Sequence, residues 1–486
     1  MNRNRVTIPR DMLQRGYLII TLLVFGSVFF ILLSAFLTSI IVQLNVARDN
    51  YHAEKALHIA EAGLEYYKWF LAHFPGEIQH NTGGPGPYVR EFRDPEGDVV
   101  GEYSLDITGT EFCGEVGRID ITSTGRVHAG GPPRTVYGRY ARPSIAEYSF
   151  IINSNVWAGF NLDITGPYHS NGFIRMSGTN FSIVTSQQDD WVCNNASLNC
   201  SGADDDGTIV SEGDTIGGIF GEGPNRHLWT YPTTGINFGN LLLNLSDMEA
   251  RAADSGILIP PDPTAAGYRV TFNGDDTVTV EPVTATVSHN EYSSEVGDTY
   301  TANNIIGTVG AATTYTLPSD CPVIFIQDKV WLRGEVDQRV TLAAAHPTAT
   351  SSVPSIIIQD NITYSDDQAG FLALAEGDVL LGVDVPNDLT INGIFVAQTG
   401  KFGRNHYETL PSGYGTYRFR DNLTVNGTIV SNGRVGTQWV SGDTPISGFL
   451  NRVSAYDRNL VDDPPPLTPR TSTTYRFIEW REIRND

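Results

Sequence analysis

Positive charge is what this chain has least of. Its 486 residues carry 32 Lys and Arg against 55 Asp and Glu, a net charge of −23 at pH 7. Nucleic-acid binding draws mainly on phosphate neutralisation by Lys and Arg, so that balance argues against a general nucleic-acid surface and leaves room only for a local basic groove. Cysteine is scarce as well: Cys113, Cys193, Cys200 and Cys321 are the four, and none stands with histidine at zinc-ligand spacing. G-x-S-x-G, H-E-x-x-H and the phosphate-cradling P-loop are missing too, which removes the local signatures of serine hydrolases, zinc peptidases and P-loop enzymes and implies no cofactor.

One segment lacks charge altogether. Tyr17 to Val42 is an apolar run of 26 residues, which as a helix would extend about 39 Å, enough to cross the hydrocarbon core of a bilayer with some tilt. Before it stands a leader, residues 1–16, in which Arg3, Arg5, Arg10 and Arg15 oppose only Asp11. That surplus holds the leader on the cytoplasmic side and sends everything after Val42 outward. The run is too long for the apolar stretch of a cleaved secretory signal, and no convincing A-x-A pattern follows it. A plain membrane anchor is the simplest alternative. Beyond the run, however, Ala53, Ala56, Leu57, Ala60, Leu64, Tyr67 and Leu71 recur at spacings of three and four, with Glu54, His58, Glu61, Glu65 and Lys68 on the other side. The spacing predicts one helix from Tyr17 to about Phe74, longer than an anchor needs.

The Arg15-Gly16 junction, the apolar run and the segment Lys55-Ala56-Leu57-His58-Ile59-Ala60-Glu61-Ala62-Gly63-Leu64-Glu65 resemble the N-terminal region of type IV pilins, especially PilX-type minor pilins. The resemblance covers about 60 residues, with a weaker likeness at Gly166-Pro167-Tyr168-His169-Ser170-Asn171-Gly172, Tyr456-Asp457, Pro464-Pro465-Pro466 and Trp480-Arg481-Glu482. It implies a prepilin peptidase cut between Gly16 and Tyr17, extraction of the helix from the cytoplasmic membrane by a pilus assembly platform, and packing against other pilin subunits. Two features depart from the pattern: the leader is long, and Thr21 stands where major pilins carry a glutamate. That carboxylate would pair with the terminal amine of a neighbour, because an unpaired charge in an apolar core is costly. Its absence is shared with the tip subunit of related pseudopilins, so the resemblance implies a tip or initiating role.

Apolar residues at 40% and charged ones at 18% suit an exported chain of two or three domains. Outside the cytoplasm disulfides are permitted. Cys193 and Cys200, in an Asn-rich loop, are the expected pair, while Cys113 and Cys321 are left open between pairing and burial as thiols. After the break Gly83-Gly84-Pro85-Gly86-Pro87, strands are expected at about 99–107, 118–123 and 134–140. With the helix they make a pilin-like α+β module over 17–142.

An internal repeat follows. Asn161-Leu162-Asp163-Ile164-Thr165-Gly166 with Ser170-Asn171-Gly172 matches Asn422-Leu423-Thr424-Val425-Asn426-Gly427 with Ser431-Asn432-Gly433, a third copy is Asp388-Leu389-Thr390-Ile391-Asn392-Gly393, and Asp328 to Gly334 keeps the outline. Each copy is a short alternating strand ended by glycine. Stacked units bury what one cannot, so the expected fold is mainly β, a parallel β-helix or solenoid in two parts, 143–201 and 323–435. An insertion lobe over 202–322, with a helix at 240–255 and a hairpin of 268–272 and 277–281, and a C-terminal cap over 436–486 complete the plan. A β-sandwich is the alternative.

Chemistry is quieter. Enzymes of the β-helix class that cleave sugars use clustered carboxylates, so Asp366, Asp367, Glu376, Asp378 and Asp384 are candidates, weighed against solvated turn acids. His169 lies between turn residues. Asp204, Asp206 and Glu212 offer oxygens to calcium without the spacing of an EF-hand. Asn180, Asn195, Asn244, Asn361 and Asn422 head Asn-x-Ser/Thr triplets that read as turn residues in a bacterial chain, and Trp157, Trp191, Trp229 and Trp439 lie in loops where they would stack on sugars. The expectation is a non-enzymatic surface component displaying a β-solenoid toward a surface polysaccharide or a host or partner cell. A membrane-anchored carbohydrate-active enzyme and a passive envelope protein are the rivals.

Overall fold

Between Pro9 and Pro75 the sequence holds no proline, and there one helix, α1 (Arg10–His73, 64 residues), runs unbroken. It is about 96 Å long at 1.5 Å per residue. The computed structural model describes residues 10–483 apart from Gly76, Asn81, 242–243, 349–352 and Asp443, so the first nine leader residues lie outside it. A large, mostly β region follows the helix. Two compact units result: the chain up to Thr108 with Asp120–Arg139 and the residues from Glu479, and Gly109–Ile119 with Tyr140–Ile478.

In the first unit the two halves of α1 differ. From Tyr17 to Val46 its large apolar side chains are exposed, whereas Ala53, Ala56, Ile59, Ala60, Leu64, Tyr67, Phe70 and Leu71 are buried. The cover is a five-stranded sheet in the order β1 (Tyr88–Arg93), β2 (Val99–Phe112), β3 (Glu115–Val127), β4 (Arg134–Ala141), then the C-terminal strand Arg476–Ile483, with β1 and β2 antiparallel. Helix and sheet meet through small residues. A Cβ on Gly63 would fall 2.4 Å from Ser123 Oγ, and one on Gly125 would fall 2.1 Å from the Ala56 carbonyl oxygen. The small-residue stretch Ala60-Glu61-Ala62-Gly63 thus has a packing reason independent of any family pattern. Beyond it Tyr67, Phe70, His80 and Tyr88 stack on one another and the Tyr67 hydroxyl donates to the Glu77 carbonyl at 2.6 Å, which fixes the end of the helix.

In the second unit short strands pair in parallel over long ladders. One ladder runs Ile257–Ile259, Val323–Ile326, Arg339–Ala344, Gly370–Ala375, Asp388–Ala397, Phe419–Ser431, Phe150–Ile152, Tyr168–Ser170, Val184–Ser186, Trp229–Thr230, each strand parallel to the next. Ladder order is not chain order. The chain enters mid-stack at Phe150, reaches one end at Trp229, starts again at the other end at Ile257 and returns until Phe419–Ser431 lies beside Phe150–Ile152. The apolar residues between the ladders form one core that includes Ile164, Ile326, Ile358, Phe371, Phe395 and Ile429. Antiparallel hairpins are attached, Tyr268–Asn273 with Thr277–Ser293 and the latter with Asp298–Val309, so the sheets are mixed. The parallel register differs from that of a sandwich, whose strands pair antiparallel.

Two of the repeat copies, 388–393 and 422–427, sit side by side, whereas Thr444–Ala455 separates the copy at Leu162–Ile164 from them and Val330–Val336 pairs with Tyr268–Asn273 and Ile356–Tyr364. Leu389, Ile391, Asn392 and Gly393 pair with Leu423, Val425, Asn426 and Gly427. Asn426 Nδ2 donates to Asn392 Oδ1 at 3.0 Å and Asn451 Nδ2 to Asn422 Oδ1 at 3.1 Å, so side-chain amides continue the ladder along the outside. Contrary to the reading from sequence, Gly334, Gly393 and Gly427 do not end their strands but lie inside Val330–Val336, Asp388–Ala397 and Phe419–Ser431; their φ of +116°, +140° and +140° makes glycine the residue that can bend each strand there.

Two segments lie elsewhere than the sequence suggests. The 202–322 region does hold the expected helix, as Leu245–Ser255, and the expected hairpin, but its strands Ile257–Ile259 and Tyr268–Asn273 belong to the parallel ladders. Likewise the 436–486 region is no separate cap: Thr444–Ala455 pairs in parallel with Phe419–Ser431 and Leu162–Ile164, and Arg476–Ile483 joins the sheet of the first unit. Strands of three to twelve residues with similar alternation carry no signal of which neighbour they will take.

Candidate membrane helix and candidate sites of the β-rich unit

The exposed half of α1 is the one described helix long and apolar enough to cross a membrane by length and composition. Four of its hydroxyl side chains are bonded within it. Thr21 Oγ1 donates to the Tyr17 carbonyl at 2.8 Å, Ser27 to Val24, Ser34 to Ile31 and Thr38 to Ser34. A hydroxyl bonded to its own helix leaves no polar group wanting a partner in hydrocarbon. Thr21 therefore does not need the neighbour that a glutamate there would need. Gly16 and Tyr17 lie on continuous helix.

The sequence candidates of the second unit are dispersed, and most are occupied. Asp366 Oδ1 accepts from the backbone N–H groups of Gln368 and Ala369, and Asp367 accepts weakly from Gln368 Nε2. Glu376 accepts from the His346 N–H, and Asp378 from the Lys401 N–H at 2.8 Å. Burial pushes the Asp378 and Asp384 carboxyls up. Asp384 lines an open polar groove with Asp360, Asn387, Tyr417 and Arg420; the other four acids are outside it. His169 holds Thr185 Oγ1 at 2.9 Å and Asn171 Oδ1 at 3.0 Å, one per ring nitrogen, and burial lowers its pKa. Both bonds are to uncharged partners, as for a structural histidine.

Asp204 accepts from the Gly217 N–H and the Tyr231 hydroxyl, Asp206 from the Thr208 N–H, and Glu212 from Asn195 Nδ2. Among the described residues no three His, Cys, Asp or Glu side chains form a set that could hold a metal ion. Cys193 is bonded to Cys200, and Cys113 to Cys321. The Asn-x-Ser/Thr asparagines serve the fold: Asn244 caps the helix Leu245–Ser255, Asn361 accepts from the Thr390 N–H, and Asn180 is buried. Trp157 lies under the Arg175 guanidinium at 3.9 Å, Trp191 stacks on Phe173 at 4.6 Å, Trp229 is buried, and Trp439 Nε1 donates to the Arg404 carbonyl. These four indoles are spent on packing, while Trp69 and Trp480 are the exposed ones.

Sequence reasoning missed a buried polar cluster. Glu291 on the strand Thr277–Ser293 accepts from His289 Nε2 at 3.1 Å, the Tyr300 hydroxyl at 2.7 Å and Asn405 Nδ2 at 2.9 Å, and His289, Glu291 and Asn405 are all buried. Burial opposes the charge on Glu291, but the bonds from His289, Tyr300 and Asn405 outweigh it and hold the carboxyl below its ordinary 4.5. The unfolded chain therefore binds a proton here first as pH falls, so the contribution is full above about pH 4.5 and is lost through the lower folded value. Glu291→Gln should cost about 1–3 kcal/mol at pH 7. Urea midpoints measured from pH 7 to pH 3 should fall less steeply for the variant than for the parent, and equal slopes would remove this assignment.

No protein-family model matches this chain, and no curated protein does. Among solved structures it is similar to the competence-associated pilin ComZ from Thermus thermophilus, at 12% identity over 89% of this chain and 97% of that one, with a TM-score of 0.30. A likeness that loose carries no argument for fold or role.

Proposed function

We propose that this chain is a type IV pilin-like minor subunit of the PilX kind, non-enzymatic, placed at or near the tip of a filament. What supports the reading most is the two-part helix, because a rod exposed and apolar over its first half and buried under its own sheet over its second suits storage in a membrane and then packing among similar rods. The leader would be removed between Gly16 and Tyr17, with the N-terminus cytoplasmic and the bulk outside. Thr21, bonded within its own helix, offers no carboxylate to the amine of a preceding neighbour, which favours a position without one.

The second unit would be carried outward as a β-solenoid. Its long parallel ladders and in-register repeat copies support stacked coils. A unit of about 340 residues has a radius of gyration near 20 Å by compactness scaling, too bulky for every subunit of a tight filament. Display of that unit for surface attachment is the role that follows. Asp366 and Asp367 share one turn and Glu376 and Asp378 the next, and each carboxylate already accepts a hydrogen bond from the chain, which gives no support to the carbohydrate-active alternative. Sheared filaments should yield this chain at a small fraction of the principal subunit, starting at Tyr17; recovery as the principal subunit would overturn the tip placement.

A further inference from the structure

The core of the second unit is open at one place. Another parallel ladder runs from Val379–Leu381 to Phe402–Gly403 and ends in a single bridge from Gly403 to Gly436. Val156–Ala158 pairs with Ile174–Met176, and that strand with Ile219–Phe220, as a separate three-stranded sheet. Between the two lies a cavity of about 220 Å³, lined among others by Trp157, Phe160, Phe150, Tyr168, Val425 and Ile429. Its walls are mainly apolar, and the last four of these residues belong to the main core.

Three cations line it, and they differ. Lys401 Nζ pairs with Glu295 at 2.8 Å, and Arg434 feels the same carboxylate. Arg452 has no such partner: it is 7% exposed, its Nη2 donates to the Phe160 carbonyl and to Gln438 Oε1, and its Nε has no acceptor. Burial pushes the guanidinium down to about 10, with no charged neighbour contributing, so it is still a cation at neutral pH. A buried charge of that kind is costly unless paired. Its planar donor edge and single charge match a carboxylate, which a guanidinium binds through parallel hydrogen bonds.

We propose that this cavity binds a small acyl carboxylate, its chain lying against Phe150, Tyr168, Val425 and Ile429 and its carboxylate pairing with Arg452. The site stands apart from the filament reading and survives its failure. Octanoate is the probe: equilibrium dialysis of labelled octanoate against the full chain in neutral phosphatidylcholine nanodiscs, with empty discs subtracted, should show saturable uptake approaching one per chain. Arg452→Gln should weaken it at least tenfold, and octan-1-ol, of the same length without the charge, should bind no better to the parent than to that variant. Ala158→Leu, which adds bulk to the cavity wall and keeps the Arg452 charge, should abolish uptake. Uptake equal to that of empty discs, equal affinity for octanol and octanoate, or full uptake by a folded Arg452→Gln would overturn the proposal. Should Arg452→Gln fail to fold, by circular dichroism, full uptake by Ala158→Leu would overturn it instead.

Discussion

Replacing Gly427 with valine should destabilise the β-rich unit by about 3–5 kcal/mol, the sum of two independent costs. The first is the backbone, since φ at Gly427 is +140° and a side chain there is strained whatever the space around it. The second is room: a Cβ would fall 1.9 Å from the carbonyl oxygen of Gly393, the matching residue of the adjacent copy. That oxygen is main chain, held by the ladder that joins Asp388–Ala397 to Phe419–Ser431, and cannot turn aside as a flexible side chain would. Urea unfolding of the solubilised full chain, followed by tryptophan fluorescence, should show a midpoint lower by at least about 1 M. Gly436→Ala, where no atom lies within 4 Å of the added carbon, should stay within about 0.5 kcal/mol of the parent.

Gly125→Val should part the helix from its sheet. The added carbon would meet the Ala56 carbonyl oxygen at 2.1 Å and the Ala60 nitrogen at 2.5 Å, both within helical backbone that moves only if α1 moves. Separation exposes Ile59, Leu64, Tyr67 and Leu71, now buried; returning even part of that surface to water costs about 3 kcal/mol, at roughly 1.5–3 kcal/mol for each large apolar side chain fully exposed. Amide exchange over Ala53–His73 should then quicken about a hundredfold. Gly84→Ala, with nothing within 4 Å of its added carbon, should leave exchange unchanged. A hundredfold effect confined to that stretch would assign the buried half of α1 to the sheet. Unchanged protection in Gly125→Val would mean that the contact is not closed in solution.

Much of the first unit was legible because its signals are local. An uncharged run, a 3.6-residue stripe ending at Leu71 and three alternating segments lead directly to α1, β2, β3 and β4. β1 was missed because its one partly buried face, Tyr88 and Phe92, is interrupted by Arg90 and the other face carries Glu91 and Arg93. In the second unit two repeat copies, 388–393 and 422–427, lie on the same rungs of one ladder, while the copies at 161–166 and 328–334 pair with other strands. Their stacking order was hidden, since nothing in a three-residue strand such as Phe150–Ile152 says that Phe150 will pair with Ile429, 279 residues away. Charged residues in alternating strands read as solvated, so Glu291 and Arg452 looked ordinary; only tertiary structure buries them. Asp366 and Asp367, by contrast, read as turn residues and sit in a turn.

In the proposed role α1 is a trimmed rod that leaves the membrane for a bundle. Edman sequencing of the mature chain, isolated from whole cells by an affinity tag at its C-terminus, tests this most directly. A first residue of Tyr17 is the predicted result, and a first residue of Met1 would contradict it.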